Sequence, residues 1–241
     1  MEIKKIKNLK FQSEILDIVQ LTQNVKHFKI SVPKDIEFTF TPGQYISIIM
    51  DDKSKNLRLR RPYSIVSSVK DTKKGYVELC IKILENGNIT PILDKLKIKD
   101  KIECLKPLGD FKISEESKNK NIIFISTGVG IAPFKSMISE LLNHNFKNKI
   151  TLLTGYKMEE DKLYDQEFNE LKKQHNNFKY YSVLSESENG RAGRVQSILE
   201  KHFDKKADYY ICGVKNMISS VRLLLLKKGI LGKDIYSEKY D

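Results

Sequence analysis

Hydrophobic and polar positions fall into two different textures along the chain. From about Phe11 to Leu105, short runs rich in β-branched and aromatic residues alternate with polar positions: EILDIVQLT, HFKISV, QYISIIM, YSIVSS, YVELCIKIL and KIECLK. Runs of this length, cut at short intervals by turn residues, predict a small antiparallel sandwich or barrel. Pro33, TPGQ at 41–44 and KKG at 73–75 supply the breaks. Pro91–Leu96 reads as one short helix within this series.

The pattern then changes. SEESKNKN (114–121) is polar and aperiodic and reads as a linker, which divides the chain into domains 1–115 and 116–241. Beyond it, NIIFIST is a fully apolar strand followed by a helix from Ala132 to about Leu142. KITLLTGY is a strand with a helix over about Asp165–Lys173 after it. FKYYSVLS precedes a helix near Val195–Lys201, DYYICG precedes one over about Lys215–Lys228, and DIYSEKY closes the series. Strands that alternate with helices predict a parallel sheet covered on both faces.

Composition narrows the class. A chain of 241 residues with 40% hydrophobic and 31% charged residues can bury a sizeable core. No apolar run approaches the roughly 18 residues of a membrane helix, and MEIKKIKNLK is not followed by the apolar stretch of a secretory signal. Cys80, Cys104 and Cys212 are scattered with no C-x-x-C pair, which speaks against a disulfide framework, a zinc site or an iron–sulfur cluster held by this sequence. A reducing cytoplasm is the expected setting. The net charge of +12 is shared evenly by the two halves and favours acidic partners. Lysine outnumbers arginine and no nucleic-acid motif occurs, so nucleic acid is not an expected partner.

Two stretches carry candidate chemistry. In ISTGVGIAPF (125–134) a parallel strand turns into a helix; Gly128 and Gly130 permit a tight turn, free N–H groups at the helix start suit a phosphate, and Pro133 fits a first helical turn. The glycine spacing is not the G-x-G-x-x-G fingerprint, because proline stands at the last position. In RRPYSIVSS (60–68), preceded by Arg58, cations and hydroxyls crowd a strand-like segment. Alone, that stretch is better explained by a core tyrosine among solvated arginines.

Together, Arg61-x-Tyr63-Ser64 on a β-domain and TGVGIAPF opening an α/β domain resemble the ferredoxin–NADP(H) reductase family. FTPGQY (40–45), LCIK (79–82), GNIT (87–90), KPLGDF (106–111), GYKMEEDKLYDQEF (155–168), YICGVKNM (210–217) and YSEKY (236–240) are similar to further segments of that family, in its order. The resemblance implies a six-stranded antiparallel β-barrel that binds FAD, joined to a Rossmann-like five-stranded parallel sheet that binds NADH or NADPH.

The resemblance also implies roles. Tyr63 stacks on the flavin, Ser64 sets a hydroxyl near its hydride-accepting atom, and Arg61 meets the diphosphate. Cys80, Ile81 and Lys82, with Gly87, Ile89 and Thr90, line the flavin chiefly with backbone; an ordinary helix cap is the other reading of Thr90. Thr127, Gly128, Gly130 and Pro133 cradle the nicotinamide nucleotide, and Cys212 and Gly213 lie near its ring. Glu238 relays protons or orients the ring. Tyr240 matches a terminal aromatic that covers the flavin in some relatives, a role that the additional Asp241 puts in question. Where NADP(H)-using relatives carry Ser-Arg, this chain has Ser185-Glu186; the carboxylate suits NADH, while Arg191 and Arg194 offer cations for a 2′-phosphate. The implied function is electron transfer from a nicotinamide nucleotide through FAD to a one-electron acceptor such as ferredoxin or flavodoxin. The alternatives are a reductase of free flavin and a reductase subunit of a larger redox assembly.

Overall fold

A computed structural model describes residues 10–52, 56–186 and 192–240. The chain forms two compact units. The first ends at Lys112 and takes in Lys135–Glu140; the second comprises Ile113–Phe134 and resumes at Leu141.

The first unit is a six-stranded antiparallel sheet. Its strands are β1 (Lys10–Thr22), β2 (Val25–Ser31), β3 (Tyr45–Asp52), β4 (Leu57–Ser64), β5 (Tyr76–Lys82) and β6 (Lys101–Leu108), in the order β4-β3-β6-β1-β2-β5. Strand β1 turns a corner: residues 10–14 pair with β6, and a register irregularity between Ile15 and Asp17 lets the rest pair with β2. Such a bulge bends a strand and sharpens its twist. The sheet closes on itself where an isolated bridge joins Ile65, just past β4, to Leu79 of β5, with the Val66 N–H donating to the Glu78 carbonyl at 2.9 Å. Inward-facing Phe28, Ile30, Ile46, Ile48, Leu79 and Ile102 fill the interior. Short helices α1 (Val69–Thr72) and α2 (Thr90–Asp94) interrupt the strand series.

Sequence pattern and structure part company at β4. The hydrophobic run YSIVSS predicts a strand over 63–68, but the strand spans Leu57–Ser64, where most side chains are exposed. The cause is tertiary: β3 supplies a full antiparallel partner from Asp52↔Leu57 to Tyr45↔Ser64, so pairing rather than burial makes LRLRRPYS a strand. Pro62 is tolerated because β4 stands at the sheet's edge.

The second unit is a parallel sheet of β7 (Ile122–Thr127), β8 (Ile150–Tyr156), β9 (Phe178–Leu184), β10 (Asp208–Gly213) and β11 (Ile235–Lys239), ordered β11-β10-β7-β8-β9. The connecting helices are α3 (Ala132–Asn143), α4 (Asp165–Gln174), α5 (Val195–Lys201) and α6 (Lys215–Lys227). One sheet face, with Ile123, Ile125, Leu153, Tyr209 and Ile211, packs against apolar residues of α5 and α6.

The segment read as a linker is firmly anchored in this unit. Ser117 is fully buried; its hydroxyl donates to Asp208 at 2.6 Å and lies 2.8 Å from the Tyr210 hydroxyl. Lys120 bridges Asp208 and Asp234 at 2.7 and 2.8 Å. Polar sequence there reflects a satisfied buried network, which buried polar groups require. Among the described residues no helix is long and apolar enough to cross a membrane.

Candidate functional site

In the first unit the site residues collect at one opening. The ladder between β4 and β5 stops at Ile65–Leu79. Moving away from that bridge, β4 presents Ser64, Tyr63 and Arg61, while β5 runs the opposite way through Cys80, Ile81 and Lys82. Six residues singled out in the sequence therefore form the two lips of one seam, where two strands lack each other as partners.

Each lip residue has a distinct environment. Tyr63 is half-buried against the barrel core, and burial pushes its hydroxyl up despite the nearby Arg61 guanidinium. Ser64 is buried. Arg61 is exposed; its Nη1 donates to the Arg60 carbonyl at 2.9 Å, and among the described residues no carboxylate pairs with it. Arg58, three residues earlier, is held by Glu103 instead. Ile81 points into the core and Lys82 is exposed. Cys80 is buried.

Beyond the seam, residues 84–90 form a tight loop. The Thr90 hydroxyl donates to the Leu84 carbonyl at 2.9 Å and lies 3.1 Å from its amide, so it closes the loop; Ile89, not Thr90, is the residue that caps α2. A Cβ on Gly87 would stand 2.4 Å from that hydroxyl oxygen, which leaves glycine as the residue that fits. Ile89 is buried in the core. An open groove of about 800 Å³ runs beside this loop, between Gly87, Asn88, Pro91 and Ile92 on one side and Asp51 and Asp52 on the other. A half-buried aromatic ring, an uncompensated guanidinium and open strand edges suit a flat, anionic dinucleotide.

In the second unit the site lies at the carboxyl ends of the strands, where open α/β sheets bind ligands. The two loop glycines act differently. Gly128 has φ +52° and nothing within 4 Å of where a Cβ would stand, so it serves the turn and leaves space before it. A Cβ on Gly130 would lie 2.4 Å from the Cys212 carbonyl oxygen, so Gly130 lets the loop pack onto β10. Pro133 is buried in the first turn of α3. The Thr127 Oγ1 is buried with no hydrogen-bond partner, facing Gly213, which has φ +148°.

The register reveals a feature that the sequence does not announce. Glu238, Cys212, Ser126, Thr154 and Ser182 stand side by side on β11, β10, β7, β8 and β9. The row two residues earlier is Tyr236, Tyr210, Phe124, Leu152 and Tyr180, with Tyr210 and Tyr236 stacked at 4.5 Å. One face of the sheet thus changes from aromatic to polar as the strands end. Burial pushes the Cys212 thiol well up, the neighbouring Glu238 adds to that, and a hydrogen bond with the Tyr240 side chain opposes it. The Tyr240 amide donates to the Gly213 carbonyl at 2.9 Å. Ser126 is fully buried, and its hydroxyl has no hydrogen-bond partner among the described residues. Sequence reasoning passed over Ser126 and Thr154; alternation within each strand was visible, but only the register lines them up with Cys212.

The remaining predicted residues sit after β9. Ser185 and Glu186 are exposed, and Glu186 lies 3.4 Å from Lys157. Arg194 is exposed at the start of α5. Arg191 lies outside the described residues. Among the described residues no cluster of His, Cys, Asp and Glu could hold a metal ion.

A barrel opened along a seam and a parallel sheet with a glycine turn at its strand ends define a protein with one nucleotide site per unit. Residues 12–113 match the oxidoreductase FAD-binding domain family, and residues 124–223 match the oxidoreductase NAD-binding domain family. The chain is 33% identical to NADH-cytochrome b5 reductase 1 of Meyerozyma guilliermondii, over 86% of this chain and 75% of that one. It is 28% identical to the phenol hydroxylase P5 protein of Acinetobacter pittii over 95% of its own length, and spans 65% of that relative. The ferredoxin-NADP+ reductase of Plasmodium falciparum, solved with 2'P-AMP, superposes with a TM-score of 0.80 at 28% identity, covering 96% of each chain. The chain belongs to the ferredoxin–NADP(H) reductase family, with an oxidoreductase FAD-binding domain followed by an oxidoreductase NAD-binding domain, and it spans less than two thirds of the length of the first curated relatives it matches.

Proposed function

We propose that the protein takes hydride from NADH and passes electrons to a small acidic carrier protein, ferredoxin or flavodoxin. The observation that carries this reading is the seam of the barrel, whose lips offer a ring, a hydroxyl and an uncompensated guanidinium to a resident flavin. FAD, when bound, accepts two electrons as hydride and can release them one at a time. Tyr63 would cover the ring, Ser64 would orient its edge, and Arg61 would hold the diphosphate through its guanidinium. Backbone of Cys80–Lys82 and of Gly87–Thr90 completes the flavin site. Thr127, Gly128, Gly130 and Pro133 hold the nicotinamide nucleotide, and Cys212 and Gly213 position its ring. Glu238, beside Cys212, holds a proton or orients that ring, and Tyr240 covers Cys212.

NADH is favoured over NADPH because the Glu186 carboxylate would repel a 2′-phosphate and can accept from a ribose hydroxyl. The basic charge suits an acidic carrier, since complementary charge speeds encounter. A second reading has support from relatives named as reductase components: the chain spans about two thirds of the first curated relatives it matches and would serve as the reductase part of a larger redox assembly.

The test begins with protein purified without added flavin. Retained FAD absorbance that NADH bleaches at lower concentration than NADPH, with turnover on ferredoxin or flavodoxin, is the expected result. Colourless protein that reduces free FMN would overturn it. Bound FAD with no turnover on any soluble acceptor would favour the assembly reading.

A further inference from the structure

The turn between α2 and β6 begins at the open groove beside residues 84–90, which Lys95 and Leu96 also line, and its composition is unusual. Lys95, Lys97, Lys99 and Lys101 are all exposed, and among the described residues none of their ammonium groups is paired with a carboxylate. Between them Ile98 is 53% exposed at the tip. Asp94 pairs with Lys26 at 2.7 Å, and the Asp100 side chain accepts from the Lys97 amide at 2.7 Å; Glu14 stands opposite Lys101 in the β1–β6 register, and Asp51, Asp52 and Glu85 line the groove that Lys95 borders.

The backbone here is rigid. The Asp100 amide donates to the Lys97 carbonyl at 3.1 Å, the Lys99 amide to the Ile15 carbonyl at 2.8 Å, and the Ile15 amide to the Asp100 carbonyl at 2.9 Å. The turn is therefore clamped to β1, and the next β1 residue, Leu16, is itself 38% exposed. Lys99 adopts φ +77°, a left-handed conformation in which glycine or asparagine costs least. Strain at a residue whose side chain only reaches solvent points to a use for that side chain.

We infer that this turn docks the protein on an anionic lipid surface, with Ile98 entering the headgroup layer and the four lysines lying over acidic headgroups. Lysines near a membrane act as separate point charges and need no fixed partner geometry. A protein partner is less well matched, because interface cores are depleted in lysine and favour aromatic residues and arginine. A convex tip with one aliphatic side chain enters a deformable headgroup region more readily than a packed protein surface. Attachment of this kind is peripheral and reversible, and it is independent of which carrier accepts the electrons.

The test uses FAD-loaded full-length protein and sedimentation with two vesicle types: phosphatidylcholine alone, and phosphatidylcholine with an equal share of phosphatidylglycerol. Wild type is expected to bind the acidic vesicles at low salt and the neutral ones weakly. K97E/K99E should weaken binding to acidic vesicles about tenfold or more, and I98D several-fold. K205E/K206E makes the same charge change at two exposed lysines of the second unit and should stay within about twofold of wild type. Retained FAD absorbance and an unchanged Tm establish that each variant is folded. Equal losses from both double variants would reduce the effect to net charge and overturn the inference, as would no binding to acidic vesicles. Unchanged vesicle binding with slower electron transfer to an acidic carrier protein would assign the turn to a protein partner instead.

Discussion

In the antiparallel unit the candidate site is a seam: β4 and β5 are joined by the isolated bridge Ile65–Leu79 and share no further ladder among the described residues. In the parallel unit the strands stay paired almost to their ends, and the β7–β10 pairing stops at Ser126↔Cys212, one residue before Thr127 and Gly213. The candidate site there lies where an aromatic row gives way to Glu238, Cys212, Ser126, Thr154 and Ser182. The barrel's candidate site lies along a seam joined by one isolated bridge. The parallel sheet's lies at the ends of paired strands, where the side-chain chemistry changes. The first therefore depends on side chains such as Tyr63 and Arg61, and the second on backbone placement at Gly128 and Gly130.

That contrast can be broken most sharply at Gly130. The Gly130→Ala methyl would meet the Cys212 carbonyl oxygen at 2.4 Å, so β10 or the loop must move. Hydride transfer from NADH should fall about 100-fold in a stopped-flow assay while FAD absorbance is kept. Gly128→Ala meets no atom and bears only left-handed strain, roughly 1–2 kcal/mol, so its loss should be smaller. Equal effects from both would mean that the loop acts through conformation alone.

The barrel is expected to fail through a side chain. Arg61→Ala should weaken FAD retention by about 10–100-fold, the worth of a charge-assisted hydrogen bond to a diphosphate, and leave nucleotide binding to the second unit unchanged. Arg61→Lys should recover part of the loss, and more at low salt than at high. Flavin titrated into apoprotein at two salt concentrations measures both.

Stability distinguishes the parallel unit in a third way. Hydrogen bonds to Asp208 and Asp234 hold the Lys120 ammonium above its usual range. Lys120→Met would leave Asp208, fully buried, with one cation fewer. The expected loss is about 1–2 kcal/mol, below that of a fully buried pair because Lys120 is 36% exposed. Because the folded value is raised, this contribution is complete below the ordinary lysine pKa of about 10.4 and fades as pH rises from there through the folded value. Thermal unfolding of wild type and variant should therefore differ by a constant amount at neutral pH and converge only in strong alkali.

The smallest effect is expected at the exposed end of β9. Glu186→Arg removes a carboxylate and adds a cation where both Glu186 and Lys157 are about 60% exposed, so the NADPH-to-NADH ratio of kcat/KM should rise about fivefold at most. No change in that ratio would remove Glu186 from nucleotide discrimination.

Much of this was legible before any coordinates. The two textures of hydrophobic pattern foretold an antiparallel and a parallel sheet, and the helices of the second unit fall within a residue or two of their predicted ends. Three things were hidden. The strand LRLRRPYS has no buried periodicity, and only its pairing with β3 makes it a strand. SEESKNKN looks like a solvated connection, yet Ser117 and Lys120 satisfy Asp208, 91 and 88 positions away in sequence. Thr90 does not cap α2; Ile89 does, and the Thr90 hydroxyl closes the loop on Leu84.

The sequence by itself determined which residues alternate in and out and where glycine and proline break the chain. These are local properties, set by side-chain type and by periods of two and 3.6 residues. Only the tertiary structure decided that β4 and β5 meet at a single bridge, that Gly130 packs against the Cys212 carbonyl, and that five polar side chains from five strands share one row. Each depends on register between segments far apart in sequence, and a one-residue shift of register would turn the whole set to the other face.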